Sequence, residues 1–314
     1  MTNTIKSVTA VIDGVTLNLT LNPSTGKYEA TGVAPQASSY PLPGGYYPVS
    51  VTAAYETDES TTVDDTTAGA IGDGCKFVVK EKVKPVARIN YPTAGQYITS
   101  TADQRIDITV LDNVGQASGF SGIDLSSLDV HIGTDPIPYD VFTSEAVDGG
   151  YHLVCVPTGE QILEDGDYTM TVSITDHDGN VSDTVSVSFT CDTVPPELSV
   201  SAPVDGFATS AATVTVVGAT NDATSAPVIV SLTLNGRDMG TATINQDGTF
   251  EKELTFFEEG DQTLVVTATD KSGTSTVITR RFYFSTDIPV IEDVVIEPNP
   301  ADHGTTYTIR VTVH

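Results

Sequence analysis

The sequence predicts an all-β fold, with tandem β-sandwiches strung into an elongated rod. Three observations carry this reading. Apolar and polar residues alternate with period two through most segments, and no segment sustains a period of 3.6. The sequence repeats itself at about a hundred residues, the size of one seven-stranded sandwich. Pro, Gly, Asp and Asn punctuate the alternating runs where turns belong.

The alternation is explicit in "YTMTVSIT", where Tyr168, Met170, Val172 and Ile174 share one face and Thr169, Thr171, Ser173 and Thr175 the other. In "TLVVTATD", Leu264, Val266 and Ala268 repeat the first role. β-Branched residues in such a pattern mark half-buried strands. The nearest approach to a helix is "GEQILEDG" (159–166), one turn at most.

Residues 165–196 and 259–289 align almost without gaps: an acidic-Gly turn, an alternating strand, Thr-Asp, a short polar turn, and a second strand leading to Thr-Asp and Pro. The openings "KPVARINYPTAGQYITS" (84–100), "PPELSVSAPVDGFATSA" (195–211) and "IPVIEDVVIEPNPADHGTTYTIRVTV" (288–313) also recur, with Pro at strand starts where a missing N–H is tolerated. The expected division is an N-terminal β module over 1–84, sandwiches over 85–193 and 194–287, and a partial repeat over 288–314. In the N-terminal module "VTAVIDGVTLNLTL" predicts a hairpin turning at Asp13-Gly14. The linkers "EKVKP" and "TVPP" are short and Pro-containing, hence stiff.

Composition excludes several functions. The 314 residues carry 42 Asp+Glu against 14 Lys+Arg, a net charge of −28, which repels phosphate backbones and anionic lipid. Nucleic acid is therefore not an expected partner, nor is membrane insertion, because no apolar run reaches the length of a span. The N-terminus lacks a basic and then apolar leader, so synthesis in the cytosol without a signal peptide is expected. Cys75, Cys155 and Cys191 are odd in number and widely spaced, which fits idle buried thiols better than a disulfide or zinc framework.

The one stretch resembling metal chemistry is "TDHDGN" (175–180), where Asp176, Asp178 and Asn180 alternate as at the start of a helix–loop–helix calcium loop. The spacing then fails: the sixth position is Val181 instead of Gly, and the twelfth is Val187 instead of Glu. The equivalent "TDKSGT" (269–274) has Ser272 in place of Asp178, so both segments read as hairpin turns whose Asp accepts backbone N–H groups. No cofactor is expected. Calcium is the one candidate ion, with Asp176, Asp178 and Asn180 as its candidate ligands and "DESTTVDD" (58–65) as a second acidic cluster. No nucleophile elbow, phosphate loop or zinc motif is present, and a non-enzymatic protein is expected.

Other residues have structural readings. Tyr40, Tyr46 and Tyr47 suggest either a sugar-stacking platform or a strand entry with a buried ring. Tyr168 sits where a corner tyrosine would tie back to the backbone, and Gln262 replaces it in the next copy, so no such tie is expected there. The loops "DNVGQASGFSG" (112–122) and "NDATSAP" (221–227) occupy equivalent places. The closing segment offers Val294, Ile296, Ile309, Val311 and Val313 on two strands that lack a sandwich to cover them, which predicts docking to the sheet edge of a neighbouring subunit or partner protein, the alternative being packing back onto the preceding sandwich.

"DTVPPELSVSAPVDG", "GATNDATSAPVIVSLTLNG", "DGTFEKELTFFEEGDQTLVVTATDKSG" and "SGIDLSSLDVHIG" resemble the tandem bacterial immunoglobulin-like domains of surface proteins and tailed-phage virion proteins. The resemblance covers about 85–313 well and 1–84 weakly. It implies a structural protein of a phage tail or tail-like particle, located in the virion. Its partners would be other tail subunits in a homo-oligomeric assembly, and its loops would reach a host-surface glycan. The alternatives are a cell-surface adhesin and the accessory region of a polysaccharide-acting enzyme.

Overall fold

The computed structural model describes residues 4–57, 59–113, 119–287, 289 and 291–313. Asp58, residues 114–118 of the loop 112–122, and His314 lie outside them. By contact the chain divides into two compact units: residues 1–96, 104–163 and 167–190 form one, and residues 97–103, 164–166 and 191–314 form the other.

The described strands are, in order, Ile5–Ile12 (β1), Val15–Asn22 (β2), Lys27–Glu29 (β3), Tyr47–Tyr55 (β4), Ser60–Val63 (β5), Lys76–Phe77 (β6), Val86–Tyr91 (β7), Tyr97–Ile98 (β8), Ile106–Leu111 (β9), Ile123–Ile132 (β10), Asp135–Ile137 (β11), Thr143–Val147 (β12) and Gly150–Cys155 (β13). They continue with Gly166–Asp176 (β14), Val185–Cys191 (β15), Glu197–Ala202 (β16), Phe207–Thr209 (β17), Thr213–Asn221 (β18), Ile229–Leu234 (β19), Arg237–Ile244 (β20), Thr249–Thr255 (β21), Gly260–Thr269 (β22), Ser275–Phe284 (β23), Ile291–Glu297 (β24) and Thr308–Val313 (β25). The protein is all-β.

In the first unit, β3–β2–β1–β4–β5 form one sheet, and β6 also pairs with β4. Asp13 and Gly14 both take positive φ, 49° and 74°, which gives the tight turn that joins Ile12 to Val15. The core here is thin: Val8, Ala10, Tyr47, Cys75 and Val79 are buried, while Val15 and Leu21 remain exposed. A single helical turn, Ala70–Gly74 (α1), escapes any sequence periodicity because it is too short to show one. The "GEQILEDG" segment forms one 3-10 turn, Gly159–Gln161.

The same unit holds two further sheets, β12–β13–β9–β7 and a layer with β11, β10, β14 and β15 as successive neighbours. Inward residues alternate along each central strand: Ile106, Ile108 and Val110 on β9, and Met170, Val172 and Ile174 on β14. In the second unit the strand path is β16–β18–β21–β20–β19–β22–β23–β17. β20 pairs with β19 through Arg237–Ala242 and with β21 through Thr243 and Ile244, so it crosses from one layer to the other. Val216, Phe250 and Leu254 of one layer meet Leu232, Leu264 and Val266 of the other in a buried core. First, second and fifth strands opposite third, sixth and seventh is the immunoglobulin arrangement. The chain is thus a tandem array of immunoglobulin-like sandwiches.

Gln262 does tie back to the backbone: buried at 2 % exposure, it donates through Nε2 to the carbonyls of Glu258 (2.9 Å) and Gly260 (3.2 Å), and its Oε1 accepts from Asn235 (2.8 Å). An amide with two donors does here what a phenol hydroxyl does in other sandwiches. Tyr168, at the equivalent position, stacks on Phe189 with ring centroids 5.7 Å apart.

Candidate functional site

Each sandwich ends its second and sixth long strands on an acid whose parity is inward. Ile106, Ile108 and Val110 point into the core, and Asp112 is the next residue on that face. Met170, Val172 and Ile174 are followed in the same way by Asp176. In the other sandwich Val216, Gly218 and Thr220 lead to Asp222, and Leu264, Val266 and Ala268 lead to Asp270. Because side chains alternate along a strand, one more step of the pleat delivers a carboxylate to the rim of the core.

A third acid joins each pair from the segment that leads into the sandwich. Glu81 meets Asp112 and Asp176, with one oxygen from each lying within 4.8 Å of the others. Asp192 meets Asp222 and Asp270 within the same limit. Glu81, Asp112 and Asp176 are all buried, as are Asp192 and Asp270, with Asp222 half-buried.

The hydrogen bonds around the first cluster lock the linker to the sandwich. Glu81 Oε2 accepts from the Val83 N–H (2.7 Å) and Oε1 from the Ser121 hydroxyl (3.4 Å). Asp176 accepts from the Asn180 N–H (2.8 Å) and from its side-chain amide (2.7 Å), and Asp112 Oδ2 accepts from the Gly122 N–H (2.6 Å). The second cluster repeats these parts. The Ser225 hydroxyl donates to Asp192 Oδ2, and the N–H groups of Thr224 (2.8 Å) and Ser225 (2.6 Å) donate to Asp222 Oδ1. Asp270 accepts from the Thr274 N–H (3.0 Å) and from the Thr274 hydroxyl.

Burial pushes the Asp112 carboxyl up from 3.8 to about 6; the Gly122 N–H opposes the shift, and the charges of Glu81, Asp176 and Asp178 add to it. Glu81 is raised too, first by burial and then by Asp176, against the Val83 N–H. Burial also raises Asp270, but hydrogen bonds from Ser272, Thr274 and Gly273 outweigh it and hold that carboxyl below its ordinary range.

The structure separates the three residues of "TDHDGN". Asp176 belongs to the first cluster. Asp178 does not: its carboxylate accepts the Glu81 N–H (2.9 Å), and Lys80 Nζ donates to its carbonyl (3.1 Å). Asn180 is a donor, to Asp176 and to the Glu81 carbonyl (3.2 Å). The segment is a turn with Gly179 at φ 91°, and it does not encircle an ion by itself. Glu81, Asp112, Asp192, Asp222 and Asp270 are cluster members that local spacing does not single out.

The other candidates fall elsewhere. Tyr47 is buried, with its hydroxyl donating to the Ala37 carbonyl (3.2 Å); Tyr46 donates to Asp65 (3.0 Å); Tyr40 stacks on His177 at 4.1 Å. The three rings do not form one platform. Cys75, Cys155 and Cys191 are buried and unpaired, and burial raises the thiols of Cys155 and, to about 11, Cys191. Val294 pairs with Val311 and Ile296 with Ile309, and Val313 extends the same face of the β24–β25 hairpin. All five are exposed.

Residues 196–284 match the family described as glucodextranase, domain B. No curated protein sequence matches the chain. Similar solved structures include tandem modules. The fibronectin(III)-like modules of CbhA from Clostridium thermocellum share 15% identity over 64% of this chain and 94% of theirs, with a TM-score of 0.36. A tetra-tandem repeat from the extending region of a large adhesion protein shares 16% over 98% and 79%, with a TM-score of 0.35. The immunoglobulin domains 1–5 of Sidekick-1 share 10% over 99% and 60%, with a TM-score of 0.37.

Proposed function

We propose that the chain is a non-enzymatic structural component of a phage tail or tail-like particle. Its immunoglobulin-like modules project from the particle towards a host-surface glycan, and its β24–β25 hairpin docks onto the sheet edge of a neighbouring copy. The exposed hairpin carries this reading. Among the described residues its two strands pair only with each other, and Val294, Ile296, Ile309, Val311 and Val313 present one apolar face at 42–54 % exposure. A lone two-stranded ribbon is marginal in water, and its free edges and bare face favour strand addition.

The full chain should therefore sediment as an oligomer, and Val311→Asp or truncation after Asp287 should give monomers whose sandwiches melt unchanged. A monomeric full chain, or an undiminished oligomer in both variants, contradicts the docking role.

The match of residues 196–284 to glucodextranase domain B favours a second reading, an accessory region of a carbohydrate-acting or adhesive surface protein. Specific retention on a glycan array, with no oligomer in solution, would select it over the first.

A further inference from the structure

We propose that each of the two sandwiches binds one hard divalent cation of the Ca²⁺ class, held by Glu81, Asp112 and Asp176 in one and by Asp192, Asp222 and Asp270 in the other.

The first support is orphaned oxygen. Among the described residues only two buried side-chain oxygens have no hydrogen-bond partner, Asp112 Oδ1 and Asp192 Oδ1. Each belongs to one of the two clusters, and each residue is 1 % exposed. A buried carboxylate oxygen without a partner is costly, and such groups are rare in folded proteins. The other oxygen of each carboxylate is already held, by the Gly122 N–H in one case and the Ser225 hydroxyl in the other. The leftover atom is the one available to an ion.

The second support is repetition. The two clusters draw on the same three places: the incoming linker, the end of the second long strand and the end of the sixth. The linker acid differs, Glu81 in one and Asp192 in the other, yet a buried serine, Ser121 or Ser225, donates to it in both. The turn residue four beyond the sixth-strand acid also recurs as its double donor, Asn180 in one and Thr274 in the other. Different side chains reaching the same arrangement argue for a shared ligand over an accident of a very acidic sequence.

The third support is charge. Among the described residues, no lysine, arginine or histidine forms an ion pair with any of the six acids. Three carboxylates brought together and buried need a counter-charge. The donor set is oxygen throughout, which suits Ca²⁺ and excludes a soft-metal preference. One oxygen from each of the three carboxylates converges at each site, and water completes a flexible shell. Glu81 lies between Lys80 and Lys82, so a cation at the first site fastens a trypsin-sensitive linker to the sandwich.

Isothermal titration of CaCl₂ into the metal-stripped full chain tests this. Two equivalents should bind, with Kd on the order of 10⁻⁶–10⁻³ M. Asp112→Asn should remove one equivalent, Asp222→Asn the other, and the double variant both; asparagine keeps an acceptor for the backbone N–H groups now bound. Calcium should also slow tryptic cleavage after Lys80 and Lys82 at least tenfold in the parent and not in Asp112→Asn. A folded parent chain that takes up no calcium at millimolar concentration overturns the proposal, as does full stoichiometry in the double variant. Loss of one equivalent to only one of the single variants overturns the site whose variant is silent.

Discussion

Asp112→Asn will make the cation-free protein more stable at neutral pH. The Asp112 carboxyl is raised from 3.8 to about 6 in the folded state, foremost by burial. A carboxyl raised by folding binds its proton more tightly in the native state. Its contribution is fully present below about pH 4, is lost as pH rises through about 6, and stays lost above that. At about 1.4 kcal/mol for each tenfold change in proton affinity, the rise from 3.8 to about 6 corresponds to roughly 2–3 kcal/mol at neutral pH. Asparagine carries no charge, keeps an acceptor for the Gly122 N–H, and offers two donors to the surrounding carboxylates. In EDTA, denaturant melts of parent and variant should therefore coincide near pH 4, separate between about pH 4 and 6, and stay apart by a constant amount above that, with the variant the more stable. Equal stability at pH 7.5 would mean that the carboxylate is not under the strain the geometry implies.

Phe250→Ala will open the core of the sandwich formed by β16–β23. Phe250 is 1 % exposed and packs among Val216, Leu254, Leu264 and Val266. Its ring occupies the space that a side chain on β18 would otherwise fill: a Cβ on Gly218 would come within 2.4 Å of Phe250 Cζ and 2.3 Å of the Ser199 carbonyl. The absence of a side chain at Gly218 and the large one at Phe250 are thus one packing decision. Truncating a fully buried Phe costs about 3–5 kcal/mol, because the cavity collapses only in part. Hydrogen exchange should show protection of β18, β21 and β22 falling by about 10²–10⁴-fold, with β9 and β14 unaffected. An effect below tenfold would indicate that Gly218 and its neighbours relax into the space.

Much of this fold is legible in the sequence, because strand alternation is a local signal. "YTMTVSIT" and "TLVVTATD" display their inward faces directly, and Asp13-Gly14 announces its turn. The α1 turn at Ala70–Gly74 is not legible, since one turn carries no period. Gln262 shows how position can outrank residue type. Its place in the repeat matched a corner tyrosine, and no tie is expected from a glutamine there, yet its amide donates to the carbonyls of Glu258 and Gly260.

The acidic clusters were hidden for a different reason. Their members stand 31 and 64 residues apart in one case (Glu81, Asp112, Asp176) and 30 and 48 in the other (Asp192, Asp222, Asp270), so no spacing motif can contain them. The eye goes instead to Asp178, which alternates with Asp176 in sequence yet bonds to the linker backbone. The available signal lay in extending the strand parity by one step. Val110, Ile174, Thr220 and Ala268 each precede an aspartate by two residues, and the repeat alignment places those aspartates in register. A carboxylate on an inward face at the end of a strand, found twice, marks a site better than a dense run of surface acids does.

Crystals grown with Mn²⁺ as an anomalous substitute for Ca²⁺ decide whether each sandwich holds one cation. Two anomalous peaks per chain should appear, one among Glu81, Asp112 and Asp176 and one among Asp192, Asp222 and Asp270. Well-ordered crystals with no peak at either cluster, or with peaks only at exposed surface carboxylates, would contradict it.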